Sequence, residues 1–154
     1  MSRLLKISEL ANVFETSEAE AEKFYRLAEN AFPQIAGNLT TADMLRQLVN
    51  SQAARLNTVC DAAGVPAYAL CYGFTRHNWL FVHGVLALNR SDFSLAEKAI
   101  TEIARANDCP VIQCNTLRKG LFKHLTDTGE WQPLGVVMVK NLCHSAQTKL
   151  SPDR

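Results

Sequence analysis

The stretch VLALNRSDFSLAEKAITEIA, Val85 to Ala104, carries the decisive change of pattern in this chain. Its first four residues are an apolar run. Asn89 to Phe93 form a polar turn. Leu95, Ala96, Ala99, Ile100 and Ile103 then recur at helical spacing with charges between them. Ser94-Leu95-Ala96-Glu97 reads as a capping box, which starts a helix at Ser94 and leaves free amides at Leu95 and Ala96. A strand that turns into a helix N-terminus is a common cradle for phosphate. This turn, however, has no glycine for close backbone approach and carries the carboxylate of Asp92. Working outward, Trp79 to Leu88 is apolar on both faces apart from His83, Gly84 and the flanks, as a central covered strand should be. Asn107-Asp108 ends the helix, and Pro110 to Cys114 reads as the next strand. Strand, helix and strand fit a right-handed parallel crossover.

Upstream, Leu56 to Cys60 and Val65 to Phe74 read as strands joined by the hairpin loop Asp61-Ala62-Ala63-Gly64, where Gly64 supplies a positive φ. Alternation puts Tyr68, Leu70, Tyr72 and Phe74 on one face of the second strand, and the small residues Ala67, Ala69, Cys71 and Gly73 on the other. Further back, Ser17-Glu18-Ala19-Glu20 is a capping box before a helix with Ala21, Phe24, Tyr25, Ala28 and Phe32 on its apolar side, ended by Pro33. Thr40 to Asp43 begins a second short helix with Met44, Leu45 and Leu48 inward. Leu4 to Ile7 reads as a first strand. Downstream, Thr116 to Leu125 reads as a helix and Trp131 to Leu142 as a last strand, with Gly135 as a bulge or break. The resulting order is β-α-α-β-β-β-α-β-α-β: one α/β domain over residues 1–142, then a polar tail over 143–154.

Bulk properties exclude several classes. The formal net charge is +1 over 154 residues, which argues against a nucleic-acid footprint. No run approaches the ~18 apolar residues of a membrane span, and MSRLLKISEL lacks the apolar core of a signal peptide, so the expected location is the cytoplasm. The five cysteines, Cys60, Cys71, Cys109, Cys114 and Cys143, contain no C-x-x-C pair. Cys143-His144 are adjacent and chelate one metal poorly, so no metal site is expected. The sequons at Asn38 and Asn89 carry no weight without a secretory signal. Arg118, Lys119, Lys123 and His124 make a basic stretch that reads as a solvated face or a contact for an acidic partner.

The segment order, together with VCDAAGVPAYALCYGF, WLFVHGVLALNRSDFSLAEKAITEIARANDCPVIQC and NTLRKGLFKHLTDTGEW, resembles the GNAT superfamily of acyl-CoA-dependent N-acyltransferases over about Leu4 to Leu142. The chain is most similar to short GNAT-like proteins encoded by bacteriophages. The resemblance implies a central mixed, mostly antiparallel sheet with helices on both faces and one parallel β-α-β crossover. It implies acetyl-CoA as donor, with Leu86, Leu88, Arg90, Ser94, Leu95, Ala96 and Asn115 as cofactor-binding positions. His83 and Tyr72 are the implied catalytic residues. Cys114, beside Asn115, is placed to touch a pantetheine arm or substrate.

Departures from the family pattern are specific. Members usually carry a glycine-rich loop after the fourth strand, where this chain has Asn89-Arg90-Ser91-Asp92-Phe93-Ser94. Members often use a glutamate on or near the fourth strand as base. Here His83 is the only titratable group on that strand, with an ordinary pKa suited to proton transfer near neutrality. Members often have a tyrosine acid on the last helix, where this chain has Phe122. Each position also has a purely structural reading. His83 reads equally as a satisfied core histidine, Arg90 as a solvated loop residue, Ser94 as a helix start, and Tyr68 and Tyr72 as core or groove wall. Two functions follow. One is acyl transfer to an amine, driven by proximity and by a backbone amide of the fourth strand on the thioester carbonyl. The other is an inactive GNAT-fold binding protein, monomer or homodimer, engaging a protein partner through the Thr16–Asn50 region or the last helix, as a phage factor directed at a host protein or as a virion component.

Overall fold

The computed structural model describes residues 10–31, 41–89 and 92–114, together with 123, 125 and 127–132. The expected first strand at Leu4–Ile7, Arg90, Asn115, Phe122, nearly all of the strand expected from Trp131 to Leu142, and the tail lie outside the described residues. Of the helix expected from Thr116 to Leu125, Lys123 and Leu125 are described and are helical.

Five strands and three helices follow in the order β1 (Val13–Glu15), α1 (Glu18–Ala31), α2 (Ala42–Asn50), β2 (Arg55–Cys60), β3 (Pro66–Phe74), β4 (Leu80–Ala87), α3 (Phe93–Ala106) and β5 (Ile112–Cys114). They form one sheet in the order β1-β2-β3-β4-β5. Its first three pairings are antiparallel, and β4 with β5 is parallel. The mixed, mostly antiparallel sheet with one crossover through α3 is the architecture expected from the sequence.

Local chemistry explains the element boundaries. Ser17 and Glu20 form the anticipated capping box: the Glu20 amide donates to Ser17 Oγ at 3.2 Å, and Glu20 Oε1 accepts from the Ser17 amide at 3.3 Å. Thr41 caps α2 by accepting from the Met44 amide. In the hairpin, Asp61 Oδ1 accepts from the amides of Ala63 and Val65, both at 2.9 Å, and Gly64 takes φ +81°. The start of α3 departs from expectation. Its cap is Asp92, whose carboxylate accepts from the Ser94 amide, and the helix begins at Phe93. Ser94 is therefore already inside the first turn and cannot cap it. Two capping candidates stood two residues apart, and the carboxylate took the position.

The sheet is covered on both faces. Val59, Tyr68, Leu70, Tyr72, Leu80 and Val82 pack with Ala96, Ala99, Ile100 and Ile103 of α3. Ala69 and Cys71 pack on the opposite face with Phe24, Tyr25, Ala28 and Leu45 of α1 and α2. β3 is thus split as its alternation predicts, large residues toward α3 and small ones toward α1 and α2. Ala67, beside an irregularity in the β2–β3 register, joins the α3 side instead. Among the described residues β1 is a short edge strand of three residues, held to β2 by the Val13↔Val59 to Glu15↔Asn57 register. A span of three residues is too short to carry a periodic signal.

Candidate active site

The parallel β4–β5 ladder is short. Leu80 pairs with Ile112, Phe81 with Gln113 and Val82 with Cys114. Among the described residues, β4 then runs on to Ala87 without a β5 partner. Cys114 is the last described residue of β5, and Val82 is its partner. At the same point β4 carries one extra residue. Tyr72 faces Val82 and Cys71 faces Gly84, which leaves His83 as the bulged residue.

The backbone beyond the bulge has a defined polarity. The Leu88 amide donates to the Ala67 carbonyl at 2.8 Å, toward β3. Alternation then points the amides of Leu86 and Gly84 toward β3, and those of Val85 and Ala87 toward the β5 side. Of the positions expected to contact a donor, Leu88 has its amide committed within the sheet. Leu86 and Leu88 send their side chains into the α1/α2 cluster. The amides of Val85 and Ala87, which are not among the expected contact positions, face away from β3.

The two expected catalytic residues lie on opposite faces of the sheet. Tyr72 is 1% exposed on the α3 side. Its hydroxyl donates to Oδ1 of the buried Asn57. Burial holds its phenol far above the ordinary tyrosine range, against a smaller opposing pull from Arg55. It is a core residue and not an accessible acid. His83 is on the α1/α2 side, half-buried, over Gly73: a Cβ placed at Gly73 would lie 3.3 Å from His83 Nε2 and 2.7 Å from the Ala53 carbonyl oxygen. The Phe81 ring lies 4.9 Å from the imidazole, centroid to centroid. Burial pushes the His83 pKa down. The imidazole is therefore neutral at neutral pH and able to accept a proton. Gly73 is the residue that makes room for this ring. Its only sequence signal was its place on the small-residue face of β3.

The remaining candidates are distributed as follows. Cys114, paired with Val82 on β5, is partly buried, and burial raises its thiol pKa. That disfavours a thiolate nucleophile. Ser94 is exposed on the first turn of α3, its amide taken by Asp92 Oδ1 at 3.0 Å. The Leu95 amide donates to the Asp92 carbonyl at 3.1 Å, and Ala96 is buried against the sheet. The free amides expected at this turn are partly consumed by the chain itself. Arg90 and Asn115 are outside the described residues. On the α1/α2 side, Arg46 pairs with Glu22 at 2.5 Å and lies 4.5 Å over the Tyr25 ring. The buried Tyr25 hydroxyl has no partner among the described residues, and burial, then the neighbouring Cys71, raise its pKa. No group of three His, Cys, Asp or Glu side chains among the described residues clusters as a metal site requires. No described helix is long and apolar enough to cross a membrane.

The sequence matches no family model and no curated protein. Its fold has clear counterparts among solved structures. A provisionally named acetyl transferase from Pyrococcus furiosus superposes with a TM-score of 0.64 at 9% identity, over 84% of this chain and 98% of the other. An aminoglycoside 6'-N-acetyltransferase from Acinetobacter haemolyticus gives a TM-score of 0.54 at 13% identity, over 84% and 97%. The enzyme AAC(6')-Iy, in complex with a bisubstrate analogue built on CoA, gives 0.57 at 11% identity, over 86% and 98%. At these identities the likeness establishes the fold, which is that of the GNAT acetyltransferases.

Proposed function

We propose that this chain transfers an acyl group from a thioester donor to an amine, with acetyl-CoA as the first donor to test. The observation that carries the reading is the bulge that sets His83 into β4 directly after Val82, the residue paired with Cys114. The Val85 and Ala87 amides point away from β3, on the β5 side of β4, and in this reading they meet the amide-bearing arm of a thioester. The half-buried, neutral imidazole lies on the same strand, on the face covered by α1 and α2. In this reading the ammonium approaches from that face, His83 accepts one of its protons, and the freed lone pair then forms the C–N bond. The C–S bond breaks, and the departing sulfur takes up a proton. Likeness in fold to acetyltransferases, including CoA complexes, supports the general reaction. The acceptor we propose is a primary amine. A host-protein lysine is the form that the phage resemblance favours.

A thiol-release assay with acetyl-CoA and a panel of amines tests the reading. Replacing His83 with Ala should lower kcat/KM by about a hundredfold, the low end for a general base. Turnover unaffected by that change would remove His83 from the chemistry. A second reading, a GNAT-fold binding protein without catalysis, is favoured by the occupied N-terminus of α3. Absence of turnover with every amine, together with no donor binding, would select it.

A further inference from the structure

Gly73 leaves β3 bare opposite Phe81, on the face covered by α1 and α2. Two polar atoms close over the gap. A Cβ at Gly73 would lie 2.7 Å from the Ala53 carbonyl oxygen and 3.3 Å from His83 Nε2, so both atoms border one point. A carbonyl oxygen only accepts hydrogen bonds, and a neutral imidazole can present a lone pair at Nε2. Among the described residues neither atom makes a hydrogen bond, to the other or to a third group. Two acceptors that border one point unpaired make a place for a donor. The Phe81 ring forms a third wall. Phe81 pairs with Gly73, shares its face of the sheet, and lies 4.9 Å from the imidazole, centroid to centroid. Phe81 and His83 are only partly buried and Ala53 is exposed, so a solute can reach the notch they line. A carbonyl oxygen, an imidazole lone pair and an aromatic face together suit an alkylammonium. Two of its N–H groups meet the two acceptors, and its charge and first methylene lie against the ring. An alcohol has one O–H and cannot satisfy both acceptors. A quaternary ammonium has no donor and satisfies neither.

We propose that the notch over Gly73 is the seat of a primary alkylammonium, held by the Ala53 carbonyl and His83 Nε2 and flanked by Phe81. The seat is the amine subsite of the acyl-transfer reading, on which its purpose rests, and Nε2 there faces the proton that the imidazole accepts. The test is made without a thioester, so that the two stand or fall separately. The full chain, isotope-labelled, is titrated at neutral pH with n-butylammonium and, in parallel, with tetramethylammonium, while the His83 ring and Ala53 carbonyl resonances are followed. n-Butylammonium should shift both along one saturating curve, and tetramethylammonium should shift neither. Phe81→Leu keeps an apolar side chain and should weaken n-butylammonium binding about threefold, as loss of an aromatic face does. Gly73→Ala pushes the carbonyl aside and should weaken it by about tenfold, the effect of losing one hydrogen bond to a charged group. If Gly73→Ala does not fold, Phe81→Leu carries the test. No saturable shift with n-butylammonium, an equal response to tetramethylammonium, or unchanged affinity in Phe81→Leu overturns the proposal. Thiol release by a protein that shows no such shift overturns the seat and leaves acyl transfer standing. A saturable shift in a protein that releases no thiol with any amine leaves the seat standing and overturns acyl transfer.

Discussion

Replacing Tyr72 with Phe separates a structural tyrosine from a catalytic one. Tyr72 and Asn57 are 1% and 2% exposed, and the phenol donates to Asn57 Oδ1. The Asn57 amide cannot turn over to compensate, because Nδ2 donates to the Phe14 carbonyl at 3.1 Å and so helps to hold β1 to β2. Removing the hydroxyl therefore leaves a buried acceptor unpaired, which costs about 1–3 kcal/mol. With roughly 2–4 °C per kcal/mol for a domain of this size, the melting temperature should fall by about 4–8 °C for a loss near 2 kcal/mol. Acyl transfer per folded molecule should be unchanged, since Tyr72 is across the sheet from His83. The pH dependence gives a second reading of the same bond. Because the folded phenol titrates above its unfolded value of about 10, ionisation favours the unfolded chain. The stability associated with Tyr72 is complete below that pH and is lost as pH rises above it. Tyr72→Phe should thus show a flatter decline in alkaline solution. Urea titrations at pH 7 and pH 10.5, with kcat/KM alongside, measure all of this. Stability altered by less than about 0.5 kcal/mol, with kcat/KM down tenfold, would refute the reasoning and return Tyr72 to the chemistry.

Gly73→Ala places a methyl 2.7 Å from the Ala53 carbonyl oxygen, a backbone atom, so the link between α2 and β2 must shift. A loss of about 1–3 kcal/mol is expected by urea denaturation, and a neutral outcome would show that this approach is not close. For His83, whose folded pKa is depressed by burial, stability is complete above its unfolded value of about 6.5 and falls as pH drops below it toward the folded pKa. His83→Gln should remove that part of the acid slope. A histidine ring resonance titrating at or above 6.5 would contradict the burial seen here.

The legible parts of this fold were those fixed by local chemistry. The Ser17–Glu20 box, the Thr41 cap and the Asp61–Gly64 hairpin each depend on side chains within four residues of the groups they satisfy. The apolar texture of β4 announced a covered central strand. What stayed hidden depends on relations across the sheet. The bulge at His83 is a mismatch between two strands, visible only once Tyr72 and Cys71 are paired with Val82 and Gly84. It also defeats simple alternation. Counting back by twos from Val85, which faces α3, puts His83 on the α3 side, whereas the extra residue leaves it facing α1 and α2. At the α3 corner the ambiguity was of another kind, since Asp92 and Ser94 are both competent caps and only the observed hydrogen bond decides between them.

The sealing of the sheet limits which groups can take part in the proposed reaction. β3 is buried from Ala67 to Gly73, so no side chain on its α3 face reaches the face that holds His83. Tyr68 and Tyr72 both belong to the α3 face, with phenols driven upward by burial, and neither can protonate a leaving sulfur at neutral pH. The position where family members carry a tyrosine acid is Phe122. This deficit weighs less than the loss of a base would. An alkyl thiol has a pKa of about 8.5, so its thiolate departs without full protonation and can take a proton from water. An attacking ammonium, by contrast, must lose its proton before it has a lone pair to offer. A site reduced to one residue would therefore be expected to retain a proton acceptor beside the amine, and among the described residues of β4 the half-buried, uncharged His83 meets that requirement.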